Sequence, residues 1–228
     1  MSKTIVIVGY GPGISHAVAE RFAAGGFSVV LAARNVEQLN AGAKKLESKG
    51  VKVLAVPTDA SSPDAVRALI QKARPFGELT AVHWNAAAPL AGDVVTAPVE
   101  QLRSAFDTGV TGLIAAVQEA LPELKRAKDG AVLVTGGGFG LFDEGVENAA
   151  VQFQAMGLAI ANSAKHKAVR LLSKRLAKEE VFVGEVMVLG SVKGTPWDKG
   201  QATIDASTIA EKFWEQYRTR KNPLAQVK

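Results

Sequence analysis

Short apolar runs rich in β-branched residues alternate with longer amphipathic stretches from one end of the chain to the other, and this alternation limits the fold more than any other feature. The runs are Thr4–Val8, Ser28–Ala32, Val51–Val56, Thr80–Trp84, Ala131–Thr135 and Val181–Leu189. Between them lie stretches with helical periodicity near 14–24, 36–49, 63–74, 99–127 and 149–179. Most runs are apolar throughout, as parallel strands covered on both faces are. The intervening stretches are too long for hairpin turns, so the chain reads as repeated β-α units. Right-handed crossovers then favour an open, doubly wound parallel sheet of the Rossmann-like α/β class. Such a sheet has helices on both faces and takes ligands at the carboxyl ends of its strands. No Pro/Ser/Gly-rich linker, repeat or low-complexity tract interrupts the pattern, and residues 1–228 read as a single domain.

Composition removes several classes of function. With 47% apolar and 21% charged residues the chain can bury a sizeable core, which excludes general disorder. It has no cysteine, hence no disulfide, thiolate metal site or cysteine nucleophile. Its three histidines, His16, His83 and His166, have no metal-ligand spacing, so no metal site is expected. The net charge of +5 suits an anionic ligand, but the basic residues are scattered and no nucleic-acid motif is present. No stretch reaches the ~20 apolar residues of a membrane span, and the run Thr4–Val8 is too short for a signal peptide. A cytoplasmic protein acting on a small molecule is expected.

The first run ends in Gly9-Tyr10-Gly11-Pro12-Gly13-Ile14-Ser15, followed by a helical stretch. The spacing is G-x-x-x-G-x-[small] on Gly9, Gly13 and Ser15, not G-x-G-x-x-G. Glycines there let the backbone turn sharply and approach a pyrophosphate, whose charge then sits on the helix N–H groups. Together with Ala33-Arg34-Asn35 after the second run, Asp59-Ala60 after the third and Asn85-Ala86-Ala87 after the fourth, this motif resembles the cofactor half of the short-chain dehydrogenase/reductase family. The order and spacing hold over the first ~130 residues. Further on, Val186–Gly190 followed by Thr195-Pro196-Trp197 is similar to the family's loop over the nicotinamide, and Ile204–Val227 to its last helix and strand.

The resemblance implies that Gly9, Gly11, Gly13, Ile14, Ser15, Arg34, Asn35, Asp59, Ala60, Asn85, Ala86, Ala87 and Thr195 hold a dinucleotide. The family's Asn-Asn-Ala-Gly reads Trp84-Asn85-Ala86-Ala87 here, with a methyl group in place of the closing glycine. At the end of the second run the residues are neutral Ala32 and Ala33 and then Arg34, where an NAD-preferring site places a carboxylate. A guanidinium there can pair with a 2′-phosphate, which favours NADP(H).

The catalytic half departs from the family, whose serine polarises a carbonyl, whose tyrosine moves the proton, whose lysine four residues later holds the ribose, and whose asparagine anchors a water relay. The chain has only Tyr10 and Tyr217, neither on the helix that should carry the tyrosine. The serine position falls in Gly136-Gly137-Gly138, and the asparagine position at Gly109. Aligning Ala168–Leu172 with the family's small and apolar residues puts His166 at the lysine position and Asn162 at the tyrosine position. Taking Lys165 as the lysine points to Ala161 instead. The first register is preferred because it keeps the downstream apolar stripe facing the sheet.

His166 titrates near neutrality and can pass a proton, while Asn162, Ser163 and Thr135 can only hydrogen-bond. His83 is expected as a hydrogen-bonded core residue and His16 as a surface residue. The glycines 136–140 suggest a wide pocket floor lined by backbone, and Asp143–Glu147 a solvated loop. Two functions follow: an NADP(H)-dependent oxidoreductase on a carbonyl or related small molecule with a degenerate active site, or a non-catalytic dinucleotide-binding sensor or scaffold. A homo-oligomer is expected through the helices near 99–127 and 149–179, whose segments Val110–Leu121 and Gly157–Ala161 are apolar around much of their circumference.

Overall fold

The computed structural model describes residues 2–87, 90–195, 198 and 200–228. Seven parallel strands form one sheet in the order β3-β2-β1-β4-β5-β6-β7. They are β1 (Lys3–Val8), β2 (Ser28–Ala33), β3 (Val53–Pro57), β4 (Glu78–Trp84), β5 (Ala131–Gly137), β6 (Phe182–Val188) and β7 (Leu224–Val227). The expected doubly wound α/β architecture is therefore present, and the strand order reverses between β1 and β4, where such sheets open a crevice.

Alternation along β1 shows why the central strands are mostly apolar on both faces. Ile5 and Ile7 face α1 (Ile14–Ala24), α2 (Val36–Glu47) and α8 (Ala206–Thr219), where Phe22, Leu39 and Phe213 are buried with them. Val6 and Val8 face α3 (Pro63–Ala73), α5 (Gly112–Arg126) and α7 (Met156–Leu176), meeting Leu69, Leu113 and Val169. Both faces are covered by helices, so a polar side chain inside a strand carries a desolvation cost wherever it lacks a partner.

Two expected long helices are interrupted. The stretch 99–127 is α4 (Val99–Phe106), a five-residue π-helical turn over Asp107–Thr111, and α5. The stretch 149–179 is α6 (Glu144–Gln152) and α7, separated at residues 153–155. The acidic segment expected as a loop in fact opens α6, because the Asp143 side chain accepts from Val146 N at 3.1 Å and caps the helix. Among the described residues no helix is long and apolar enough to cross a membrane.

Candidate functional site

The glycine turn after β1 is fixed by backbone geometry. Gly9 has φ +82°, and a β-carbon on it would overlap the backbone of Ala86, so the ends of β1 and β4 meet there without side chains. The Asn85 amide donates to Gly9 O at 3.2 Å, and Asn85 N donates to Val8 O at 2.8 Å. Gly11 N donates to Ser15 Oγ at 2.8 Å, which holds the loop over the start of α1. That helix begins with no side-chain cap and no carboxylate in its first turn, leaving its N–H groups free for an anion. Thr195 covers the turn: its methyl group would stand 2.6 Å from a β-carbon on Gly13.

These residues line one end of a cleft of about 270 Å³ at the carboxyl ends of β1, β4 and β5. Gly11, Gly13, Ile14, Ser15, Asn85, Ala86, Ala87 and Thr195 all contribute, while Thr135, Gly136, Gly137, Leu158, Asn162 and Lys165 line the other end. Gly9 lies beneath the turn. Arg34, Asn35, Asp59 and Ala60 lie outside this lining, after β2 and β3. Asn35 caps α2 through Gln38 N at 3.0 Å, leaving exposed Arg34 beside it. The Ser61 backbone N–H and hydroxyl hold the Asp59 carboxyl below its ordinary pKa, with the nearby Arg34 charge lowering it further. Pro196 and Trp197 lie outside the described residues.

The far end of the cleft differs from the expected one. Of the two registers of α7, it is Lys165 that lines the cleft, together with Asn162. The stripe of α7 that faces inward runs Asn162, Lys165, Val169, Leu172, Leu176, so the apolar spacing that favoured His166 leads back to Lys165. His166 is one position further round, with Nδ1 2.5 Å from Glu185 Oε2 on β6. Lys165 is 5% exposed, and burial pulls its amine down to about 8, opposed by the negative charge of Glu185. Ala161, four residues before Lys165, is buried, and Gly109 faces it, with 3.9 Å between the Ala161 methyl and a β-carbon built on Gly109.

The glycine floor is not wide. A β-carbon on Gly136 would overlap Glu185 Oε1, and one on Gly137 would stand 2.6 Å from Asn162 Nδ2. The carboxylate and the carboxamide fill the room that the missing side chains leave, as close packing requires. Thr135, the hydroxyl at this end, bonds His83 Nε2 at 3.1 Å. His83 is fully buried against Phe213, as expected of a core histidine, and burial drives its pKa down to about 3. His16 is not a surface residue: it is buried, with Nδ1 2.8 Å from the Tyr10 hydroxyl. Glu185 was missed in the sequence, although a lone carboxylate inside an apolar run is itself a signal.

Residues 3–181 match the profile of the short chain dehydrogenase family. The chain belongs to that family. An uncharacterised oxidoreductase of Staphylococcus aureus strain MW2 is 30% identical over 213 residues, covering 92% of this short-chain dehydrogenase and 88% of the relative. A short-chain dehydrogenase from Rhodopseudomonas palustris superposes with a TM-score of 0.82 at 18% identity, over 99% of this chain and 98% of the other. An NADPH-bound short chain oxidoreductase from Pseudomonas aeruginosa PAO1, described as containing an atypical catalytic center, gives 0.85 at 18% identity, over 99% and 95%.

The cleft residues fit the nicotinamide dinucleotide that the family binds. Gly9 permits close backbone approach, the start of α1 carries no competing carboxylate, and a buried amine stands at the far end from the glycine turn.

Proposed function

We propose that this short-chain dehydrogenase is an NADP(H)-dependent reductase of a small carbonyl compound, with Asn162 and Lys165 in place of the family's serine and tyrosine. The observation that carries this reading is the joint placement of the Asn162 carboxamide against Gly137 and the buried Lys165 amine in one cleft. Gly9, Gly11, Gly13, Ile14 and Ser15 would cradle the pyrophosphate. Asn85, Ala86 and Ala87 would flank the adenosine side and Thr195 would close over the turn, while Asp59 and Ala60 border the adenine end. Arg34, exposed after its neighbour Asn35 has capped α2, would pair with a 2′-phosphate.

When bound, the reduced dinucleotide supplies the hydride that converts a carbonyl carbon to a carbinol carbon. The matching proton for the oxygen comes from Lys165 Nζ, which is then reprotonated from solvent. An amine held at about 8 carries a proton at neutral pH and gives it up readily, as a general acid needs. Asn162 Nδ2 donates a hydrogen bond to the same oxygen and stabilises the charge that develops on it.

The test is NADPH consumption over a panel of ketones, aldehydes and activated alkenes with the wild type, Asn162→Ala and Lys165→Met. Removing the proton donor is expected to lower kcat by about 10²–10⁴-fold with little change in NADPH affinity. Turnover unaffected by Lys165→Met overturns the assignment of the proton. Tight NADPH binding without turnover on any member of the panel turns the reading to a dinucleotide-binding sensor or scaffold.

A further inference from the structure

Strand β6 carries a carboxylate in a run that is otherwise apolar or glycine. Glu185 is 1% exposed, and a carboxylate at that depth persists only with partners. Its Oε2 is 2.5 Å from His166 Nδ1. Its Oε1 has no hydrogen-bond partner among the described residues and lies against Gly136, whose backbone lines the cleft. From α7 it is faced by His166, and Lys165, the residue before His166, lines the same cleft as Gly136; β5 presents Val134 and Gly136 beside it, and α8 offers the neutral Gln216 amide to its main-chain oxygen.

We propose that Glu185 is the positioning residue of this site, which keeps Lys165 as an ammonium in the cleft while His166 clamps the other carboxylate oxygen from the solvent side. The proposal deepens the reading of Lys165 as proton donor and rests on it. Burial alone drives the amine toward its neutral form, which has no proton to give; the fixed negative charge nearby opposes that. The same geometry explains the glycine at 136. Any side chain there would meet Oε1 and push the carboxylate aside.

The experiment measures the protonation of Lys165 in the full chain without cofactor or substrate, by pH-dependent trace labelling with acetic anhydride and peptide mass spectrometry. In the wild type the midpoint should lie near 8. In Glu185→Gln it should fall by about one pH unit or more. His166→Gln, which keeps a donor for the carboxylate, should retain the wild-type midpoint, whereas His166→Leu should move it toward that of Glu185→Gln. An unchanged midpoint in folded Glu185→Gln overturns the proposal. So does an unchanged midpoint in His166→Leu, a partly exposed position that keeps the test available if Glu185→Gln fails to fold. A shifted midpoint in a protein that reduces no carbonyl would sink the function proposed above and leave the role of Glu185 standing.

Discussion

His83 makes the fold sensitive to acid in a calculable way. The ring is fully buried, packs edge-on against Phe213 at 4.7 Å between centroids, and reaches Thr135 Oγ1 at 3.1 Å, while its Nδ1 has no partner among the described residues. In the unfolded chain it takes up a proton near pH 6.5, and in the folded chain only near 3. Between those values the unfolded state binds more protons, so stability is intact above pH 6.5 and falls as the pH drops toward 3. Each pH unit in that window costs about 1.4 kcal/mol, so at pH 4.5 the loss from this residue is about 3 kcal/mol. For a domain of this size that corresponds to a drop of roughly 5–10 °C in melting temperature. Thermal unfolding followed by circular dichroism at pH 7.5 and pH 4.5 checks it, with His83→Gln as the variant that cannot titrate. The variant is expected to lose less stability between the two pH values, whatever its stability at pH 7.5. Equal pH dependence in the two proteins would refute the reasoning.

Three other outcomes are expected. Gly9→Ala combines a positive φ with an overlap against the Ala86 backbone, so it should cost about 2–4 kcal/mol and weaken dinucleotide binding, read by denaturant unfolding and NADPH titration. Arg34→Ala should weaken NADPH by about one to two decades and leave NADH nearly unchanged, in a fluorescence titration of both cofactors. The sedimentation mass at micromolar concentration should exceed one chain. Exposed Val99, Val151, Phe153 and Ile160 lie on or beside the helices of the expected interface, whereas Leu113, Val117 and Ala161 in its expected segments are buried within the chain's own core.

The fold was legible because the strands are buried on both faces, and parallel strands of this kind announce themselves as continuous runs such as Ile5-Val6-Ile7-Val8. The breaks in the long helices were less so. The π-helical turn over Asp107–Thr111 keeps the chain helical and contains no proline to mark it, and Asp143 reads as a loop residue until it is seen capping α6. Around the first glycine turn, Gly9 and Asn85 answer local backbone needs, which a sequence motif can carry. The catalytic end was ambiguous for a physical reason: Lys165 and His166 are adjacent, and one step along a helix is a rotation of about 100°. Contacts far along the chain separate their surroundings: Lys165 is buried along the cleft, while His166 meets Glu185, 19 residues away. The glycine floor misled in the same way, since a glycine says what it lacks and not which neighbour fills the space.

In the function proposed above, Lys165 and Asn162 serve carbonyl reduction with NADP(H) as donor. The most direct measurement is single-turnover reduction with NADPH deuterated at C4 of the nicotinamide, the product being analysed by mass spectrometry for the carbonyl compounds consumed in the panel assay. The wild type is predicted to place one deuterium on the former carbonyl carbon, and Lys165→Met to do so about 10²–10⁴-fold more slowly. Saturation of the protein with the labelled cofactor and no deuterium in any product would contradict the account.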